Sequence, residues 1–452
     1  MDRDILKNKI REGYLDIRRA VKWSLIAVAC GLACGAVGGF FVRALGLVTG
    51  LRADHPVFML LLPVGGVLIL FYYHLLRRDN STGVNIVITS IQSGKEVPAR
   101  MLPAIFLSSI FSHLCGASVG REGAALQMGG SIGHAFSRIF RMDPKNRRIM
   151  VMSGMAGSFS AVFGTPVTAV FFAMEVTKIG YMNYAALLPC SIASFVARAA
   201  AKYWFGVERP FYRLENLPAA GLVPLLKIAL LAICCGMVSI LFCVVLRQTA
   251  KYGRKFLPNS YIRSLVFGTV LLLMTFLTSG VSGGGWNVLS LSGPYNGTGA
   301  ETIVNVVESG LKDAASVPAA AGGIPVEKIA WYTFLMKILF TDLSLAADYK
   351  GGEIVPTFFI GSTFGYFFGS LIGFAPHLSA AVGLGAMFCG VTNAPVASVF
   401  LCIELFGVEG MIYYILAIAI AYVASRYYGL YPAQKIVFSK YESGVFNKRT
   451  SG

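Results

Sequence analysis

Eleven apolar runs, several broken by glycine or proline, limit what this chain can fold into more than any other feature. They lie near residues 22–50, 57–76, 97–115, 149–176, 183–204, 222–246, 262–279, 330–347, 354–375, 378–406 and 411–425. A backbone crosses hydrocarbon only as a helix or a closed barrel, and a broken helix is tolerated there only where other protein covers it. Only 13% of the 452 residues are charged, against about 25% in soluble domains. Mean hydropathy is +0.66. The expected fold is an all-α polytopic membrane protein of broken and re-entrant helices, placed in the cell membrane against lipid.

The net charge of +17 invites a nucleic-acid reading, but the basic residues cluster at segment ends. Arg3, Lys7, Lys9, Arg11, Arg18, Arg19 and Lys22 precede the first apolar run, and Lys440, Lys448 and Arg449 close the chain. The positive-inside rule puts both termini in the cytoplasm, and no nucleic-acid partner is expected. The first apolar run starts too far in, and is too long, for a cleavable secretory signal. Nine cysteines lie in or beside apolar runs without a CxxC pair and read as small buried hydrophobes. The five histidines form no HExxH, which disfavours a zinc peptidase. No metal or other cofactor is expected.

The central stretch runs from Gly116 to Gly133 and holds Arg121 and Glu122 between Gly120 and Gly123. A carboxylate within a membrane costs roughly 2.5 to 3.5 kcal/mol, so such residues are kept for pathways and proton relays. A capping glutamate at a helix start is the plainer reading. The flanking glycines favour a site, because they let backbone N–H groups approach a ligand closely.

Residues 1–21 read as a cytoplasmic amphipathic lead-in, 22–206 as a first membrane repeat, and 207–221 as a linker. A second repeat is expected over 222–431 and a cytoplasmic tail over 432–452. Gly285 to Leu289 repeats the spacing of Gly83 to Val87, and Glu353 follows Glu122 by 231 residues. Pro395 to Glu404 repeats Pro166 to Glu175 at an offset of 229. The loop Arg138 to Arg148 is basic, whereas no Lys or Arg occurs between Lys350 and Arg426. Equivalent segments therefore point opposite ways, as in inverted repeats, which place a substrate site at their interface.

Helix starts at Val84, Glu122 and Ile354 would present unpaired backbone N–H groups, and Tyr431 a hydroxyl. One helix end offers an anion only about 0.3 to 2 kcal/mol, so several must converge to offset dehydration. Helix packing is the other account of these glycines. For Glu353 a buried structural role stands beside a site role, and for Tyr431 a place at the membrane interface.

These residues resemble the CLC family of anion channels and proton-coupled halide transporters, from about residue 25 to residue 440. The likeness rests on Gly120-Arg121-Glu122-Gly123, on Gly351 to Pro356, and on the Pro166 and Pro395 helices that reach Glu175 and Glu404. It implies two inverted repeats, about eighteen partly broken helices per subunit, and a homodimer with one pore in each subunit. Gly83-Val84-Asn85-Ile86-Val87, Glu353 and Ile403 to Gly407 are similar to the fluoride/proton antiporter branch. Val84 stands where that branch has Met or Asn, and the chloride branch has a serine there.

By this resemblance Glu122 is the gating and proton-transfer residue. The anion-binding positions are Val84, Asn85, Gly120, Arg121, Gly123, Glu353, Ile354 and Tyr431. Val176 falls where many chloride exchangers keep an internal proton glutamate. The chain ends too soon after Tyr431 for cytoplasmic nucleotide-binding domains. The implied function is fluoride/proton antiport, with a chloride channel or chloride/proton exchanger as the alternative. A remoter alternative is an intramembrane hydrolase using a buried serine with His113 or His134, but no oxyanion arrangement accompanies either. The chain is expected not to be an enzyme. The long polar segment 292–329 receives no function.

Overall fold

The computed structural model describes residues 3–76, 83–279, 293–310, 323–442 and 445–450. Among these residues the first half carries α1 (Arg3–Asp54), α2 (Leu62–Leu75), α3 (Asn85–Ser93), α4 (Met101–Cys115), α5 (Glu122–Ile139), α6 (Pro144–Phe163), α7 (Pro166–Glu175) and α8 (Leu187–Phe205). The second half carries α9 (Leu222–Phe256), α10 (Ser260–Thr278), α11 (Ala300–Glu308), α12 (Thr333–Ala346), α13 (Ile354–Leu371), α14 (Pro376–Thr392), α15 (Pro395–Phe406) and α16 (Met411–Ala424). The chain is thus an all-α, multi-pass membrane protein.

Proline and glycine set many of these bounds. Pro144, Pro166, Pro376 and Pro395 each open a helix, where a missing N–H is harmless. Gly116 ends α4 at φ 84°, a left-handed turn that glycine adopts without strain. At 9 to 12 residues, α3, α7, α11 and α15 are too short to cross about 30 Å of hydrocarbon. They sit inside the protein, where neighbours cover their ends. The lead-in is continuous with α1, which runs through residue 21 without a break.

The two halves pack alike. In the first, α1 packs on α6 and α8, and α3 rests on α5 and α6. In the second, α9 packs on α14 and α16, and α11 rests on α13 and α14. Glycine faces glycine where α5 meets α6, at Gly129 and Gly154, and where α13 meets α14, at Gly361 and Gly383. These central helices are almost wholly buried, whereas α9 exposes Leu222, Leu226, Leu230, Ile233, Met237 and Leu241 along one apolar face suited to hydrocarbon.

The register of the repeat differs from the expected one. Helices α5 and α13 begin 232 residues apart, at Glu122 and Ile354, and α6 and α14 keep that spacing. Glu353 therefore corresponds to Arg121, and Ile354 to Glu122. Arg121 and Glu353 are both the residue just before a helix, with φ −103° and −97°. The matching letters of Glu122 and Glu353 suggest a pairing that the backbone does not make. Because α14 has 17 residues and α6 has 20, the offset becomes 229 at α7 and α15. The expected counterpart at Gly285 to Leu289, and all but the last residue of the polar break at Arg77 to Gly83, lie outside the described residues.

A small sheet ties the first half to the C-terminal segment. Strand β1 (Lys178–Ile179) pairs in parallel with β2 (Lys435–Phe438), which pairs antiparallel with β3 (Val445–Arg449).

Candidate anion pathway

The junction of the halves is built from reciprocal hydrogen bonds. Ser112 Oγ on α4 accepts from the Lys350 N–H at 3.0 Å, and its counterpart Ser344 Oγ on α12 accepts from Ser118 N–H at 2.8 Å. Gly120 and Gly352 exchange both N–H···O bonds, at 2.7 and 2.8 Å, in an isolated antiparallel bridge. These pairs describe a pseudo-twofold axis that brings the start of α5 against the start of α13.

Glu122 breaks that symmetry. Its side chain is fully buried, and Oε1 accepts from the N–H groups of Ile354 and Val355, the latter at 3.1 Å. These are two of the orphan donors at the N-terminus of α13, so a carboxylate oxygen stands where a helix end would hold an anion. Glu122 Oε2 has no partner among the described residues. A Cβ on Gly120 or Gly352 would collide with this carboxylate, and one on Gly123 would lie 2.6 Å from the Gly351 carbonyl oxygen. The glycine run is therefore needed for the halves to close around the side chain.

Glu353 is half-buried at the mouth of α13 and interacts electrostatically with Glu122. Tyr431 interacts with both carboxylates. At 3% exposed it is buried within the protein and is not an interfacial aromatic. Val84 is buried at the start of α3, and Asn85 Oδ1 accepts from the Ala433 N–H at 3.1 Å, which fixes that start beside the turn that follows Tyr431. Glu122, Gly120, Gly123, Glu353, Ile354 and Tyr431 are thus brought together, with Val84 and Asn85 tied to them through the Tyr431 turn. Arg121 interacts electrostatically with Glu122, and its guanidinium lies 5.6 Å from the Phe163 ring centre, on the wall of a cavity of about 340 Å3 that Val355 also lines.

That cavity is also lined by Thr49, His113, Tyr212, Thr298 and Glu301. Thr298 and Glu301 belong to the polar segment to which the sequence assigns no role. Neither histidine forms a Ser–His pair: His113 Nδ1 lies 2.8 Å from the carbonyl of Ser109, and both His134 nitrogens lack a partner among the described residues. The hydrolase reading finds no geometry here.

A second reciprocal device lies at α7 and α15. Glu175 accepts from the N–H groups of Val396 and Ala397, at 3.3 and 3.0 Å. Glu404 accepts from those of Val167 and Thr168, at 3.0 and 2.8 Å, and from the Thr168 hydroxyl at 2.6 Å. Phe171 and Phe400 stack between them with ring centres 4.6 Å apart. The sequence marks both glutamates as helix ends, but nothing local shows that each caps the other's helix, more than 220 residues away.

Inverted halves meeting helix end to helix end around a buried carboxylate define a polytopic protein of the channel and transporter class. The chain belongs to the voltage gated chloride channel family, whose model matches residues 64–426. It is 31% identical over 421 residues to a chloride/fluoride channel protein of Pseudomonas syringae pv. tomato, covering 93% of this chain and 88% of that one. It is 24% identical over 407 residues to the H(+)/Cl(-) exchange transporter ClcA of Vibrio cholerae, covering 84% and 81%. Among solved structures, a CLC-type fluoride/proton antiporter superposes with a TM-score of 0.81 at 28% identity, covering 92% of this chain and 98% of that one. A slow cyanobacterial Cl-/H+ antiporter, at 19% identity, covers 89% and 94% with a TM-score of 0.69 and shares the fold.

Proposed function

We propose that the chain is a halide transporter of the CLC type that exchanges fluoride for protons across the cell membrane. The observation that carries this reading is Glu122 Oε1 on the N–H groups of Ile354 and Val355. An anion arriving at α13 competes for the same two donors, and a charged carboxylate holds them far better than a neutral one. Protonation of Glu122 therefore opens the position, and anion occupancy favours the protonated side chain. Anion and proton are coupled without a basic side chain at the site.

The Tyr431 hydroxyl supplies a further donor near this position, and Gly120, Gly123 and Glu353 form its walls. At α3, Val84 offers a backbone N–H and no hydroxyl, so a large halide loses a donor there. Fluoride, the most strongly hydrated halide and the conjugate base of a weak acid, is served by two protonatable carboxylates, Glu122 and Glu353. The transporter works as a homodimer in lipid, with both termini and the Arg138 to Arg148 loop in the cytoplasm. Residues 207–221 join its two membrane repeats, and 432–452 form the tail.

Purified protein in liposomes tests this directly. An imposed pH gradient should drive fluoride at least tenfold faster than chloride, with protons moving the opposite way. Chloride moving as fast as fluoride would assign the chain to chloride transport, and halide flux without proton movement would make it a channel.

A further inference from the structure

Residue types change sharply on α1 at Lys22, where a basic stretch ends and the first apolar run begins. Trp23 therefore marks the level at which hydrocarbon gives way to water, a depth where tryptophan is enriched. Arg19, then Lys22 and Trp23, then Ile26 recur at helical spacing and share one face of α1. That face looks onto the turn between α5 and α6, and between them lies an open-sided cavity of about 540 Å3. Sites for small molecules span roughly 300 to 1,000 Å3.

The opposite wall carries a strained residue. Arg141 has φ 46°, in the left-handed region. There it closes α5, its N–H donating to the Arg138 carbonyl at 3.0 Å while the Met142 N–H donates to that of Ser137 at 2.9 Å. Glycine makes such a turn without strain, as Gly116 does at the end of α4. The arginine instead keeps a long cation on the cavity wall. Charge on that wall is unbalanced: Arg19, Lys22 and Arg141 share it with one carboxylate, Asp143, whose Oδ1 already accepts from Asn146 Nδ2. Arg19 also pairs with Asp16 at 3.2 Å, an exposed contact of little strength. Among the described residues no ion pair engages Lys22 or Arg141. Beneath the charges, Trp23 and Met142 pack on a core of Ile26, Ile132 and Met150 that holds α1 against α5 and α6. Beside them in the chain, Val21, Leu25, Ile139 and Phe140 are exposed.

We propose that this cavity binds the headgroup of an anionic glycerophospholipid, with its phosphate among Arg19, Lys22 and Arg141 and its glycerol end against Trp23. In the orientation given above the lipid belongs to the cytoplasmic leaflet. A phosphodiester supplies the negative charge that the wall lacks, and a headgroup without a cation of its own, such as phosphatidylglycerol, leaves that charge unopposed. Phosphatidylcholine brings a quaternary ammonium to a wall that is already cationic. Free phosphate would match the basic residues but leave Val21, Leu25, Ile139 and Phe140 bare, whereas acyl chains cover them, so the occupant is a lipid. Bound there, the headgroup ties the basic lead-in to the α5–α6 turn, at the far end of the helix that begins at Glu122.

The test uses full-length protein stripped of lipid in a neutral detergent, with added lipids counted by native mass spectrometry. The tightest-bound phosphatidylglycerol should be held about tenfold more firmly than phosphatidylcholine. Lys22→Gln with Arg141→Gln should weaken it about twentyfold, whereas Lys251→Gln with Lys255→Gln, at the basic end of α9, should leave it unchanged. Equal loss in both pairs would reduce the effect to diffuse surface charge and overturn the site. Inorganic phosphate bound as tightly as the lipid would overturn the lipid assignment. Arg141→Gly separates the ligand from the fold: it should weaken phosphatidylglycerol binding about fivefold without lowering the midpoint for loss of monodisperse protein on heating, because glycine relieves the turn. Unchanged binding in that variant overturns the proposal. None of these readouts needs transport. Failure of fluoride–proton exchange in liposomes would remove the transport reading, while lipid binding alone decides this site.

Discussion

The start of α5 and the start of α13 are nearly the same backbone with opposite side chains. Each follows a serine-capped turn and one strand of the Gly120–Gly352 bridge, and the residue before each helix has almost the same dihedral angles. Yet Arg121 stands where the other half has Glu353, and Glu122 where it has Ile354. Only one carboxylate can therefore reach across and occupy the other helix's donors. The scaffold is symmetric, and the proposed gate rests on the failure of that symmetry at two consecutive positions. At α7 and α15 the chain does the reverse, keeping a glutamate in both halves and producing a matched pair of caps.

The largest expected effect comes from erasing the difference at the gate. Glu122→Gln should lower fluoride-driven proton movement at least tenfold in liposomes while leaving passive anion flux, and unchanged proton movement would refute the gating role. Next come the glycines that let the two starts close on each other. Gly120→Ala and Gly352→Ala should each cost about 1–3 kcal/mol through overpacking, read as a lower midpoint for loss of monodisperse protein on heating. A large effect in one and none in the other would mean that the bridge is not shared equally.

The α7–α15 caps sharpen the comparison further. Truncating Glu175 or Glu404 to alanine should cost about 1–3 kcal/mol by leaving buried N–H groups unpaired. Glu404→Ala should cost roughly 1 kcal/mol more, because Thr168 adds a hydroxyl bond that Ala397 has no means to return. Thr168→Ala should close that gap in the same thermal assay. The smallest effects belong to Ser112→Ala and Ser344→Ala, expected to match each other at about 1 kcal/mol.

Much of this was legible in the sequence. Apolar run lengths gave the class, prolines marked the starts of α7 and α15, and the flanking glycines marked Glu122 as a buried carboxylate at a helix start. The register of the repeat was not legible, because Glu122 and Glu353 match as letters while the backbone aligns Glu122 with Ile354. No single offset describes the halves, since α14 is three residues shorter than α6. The reciprocal serine caps were also hidden. Serines are common in apolar helices, and the partners of Ser112 and Ser344 lie 238 and 226 residues away. Arg121 reads as an anion-site residue by sequence position, but its stacking on Phe163 at the wall of a cavity is not written in the local sequence.

The shared caps also impose an order in time. When α7 is made, its Val167 and Thr168 N–H groups have no acceptor until Glu404 appears, 237 and 236 residues later. Ser112 waits 238 residues for Lys350, and Glu122 waits 232 for Ile354. At about 5–20 residues per second of synthesis, that delay is roughly 12–48 s. Until then each of these bonds has only one of its two partners, so the helix ends of the first half are completed only by residues of the second.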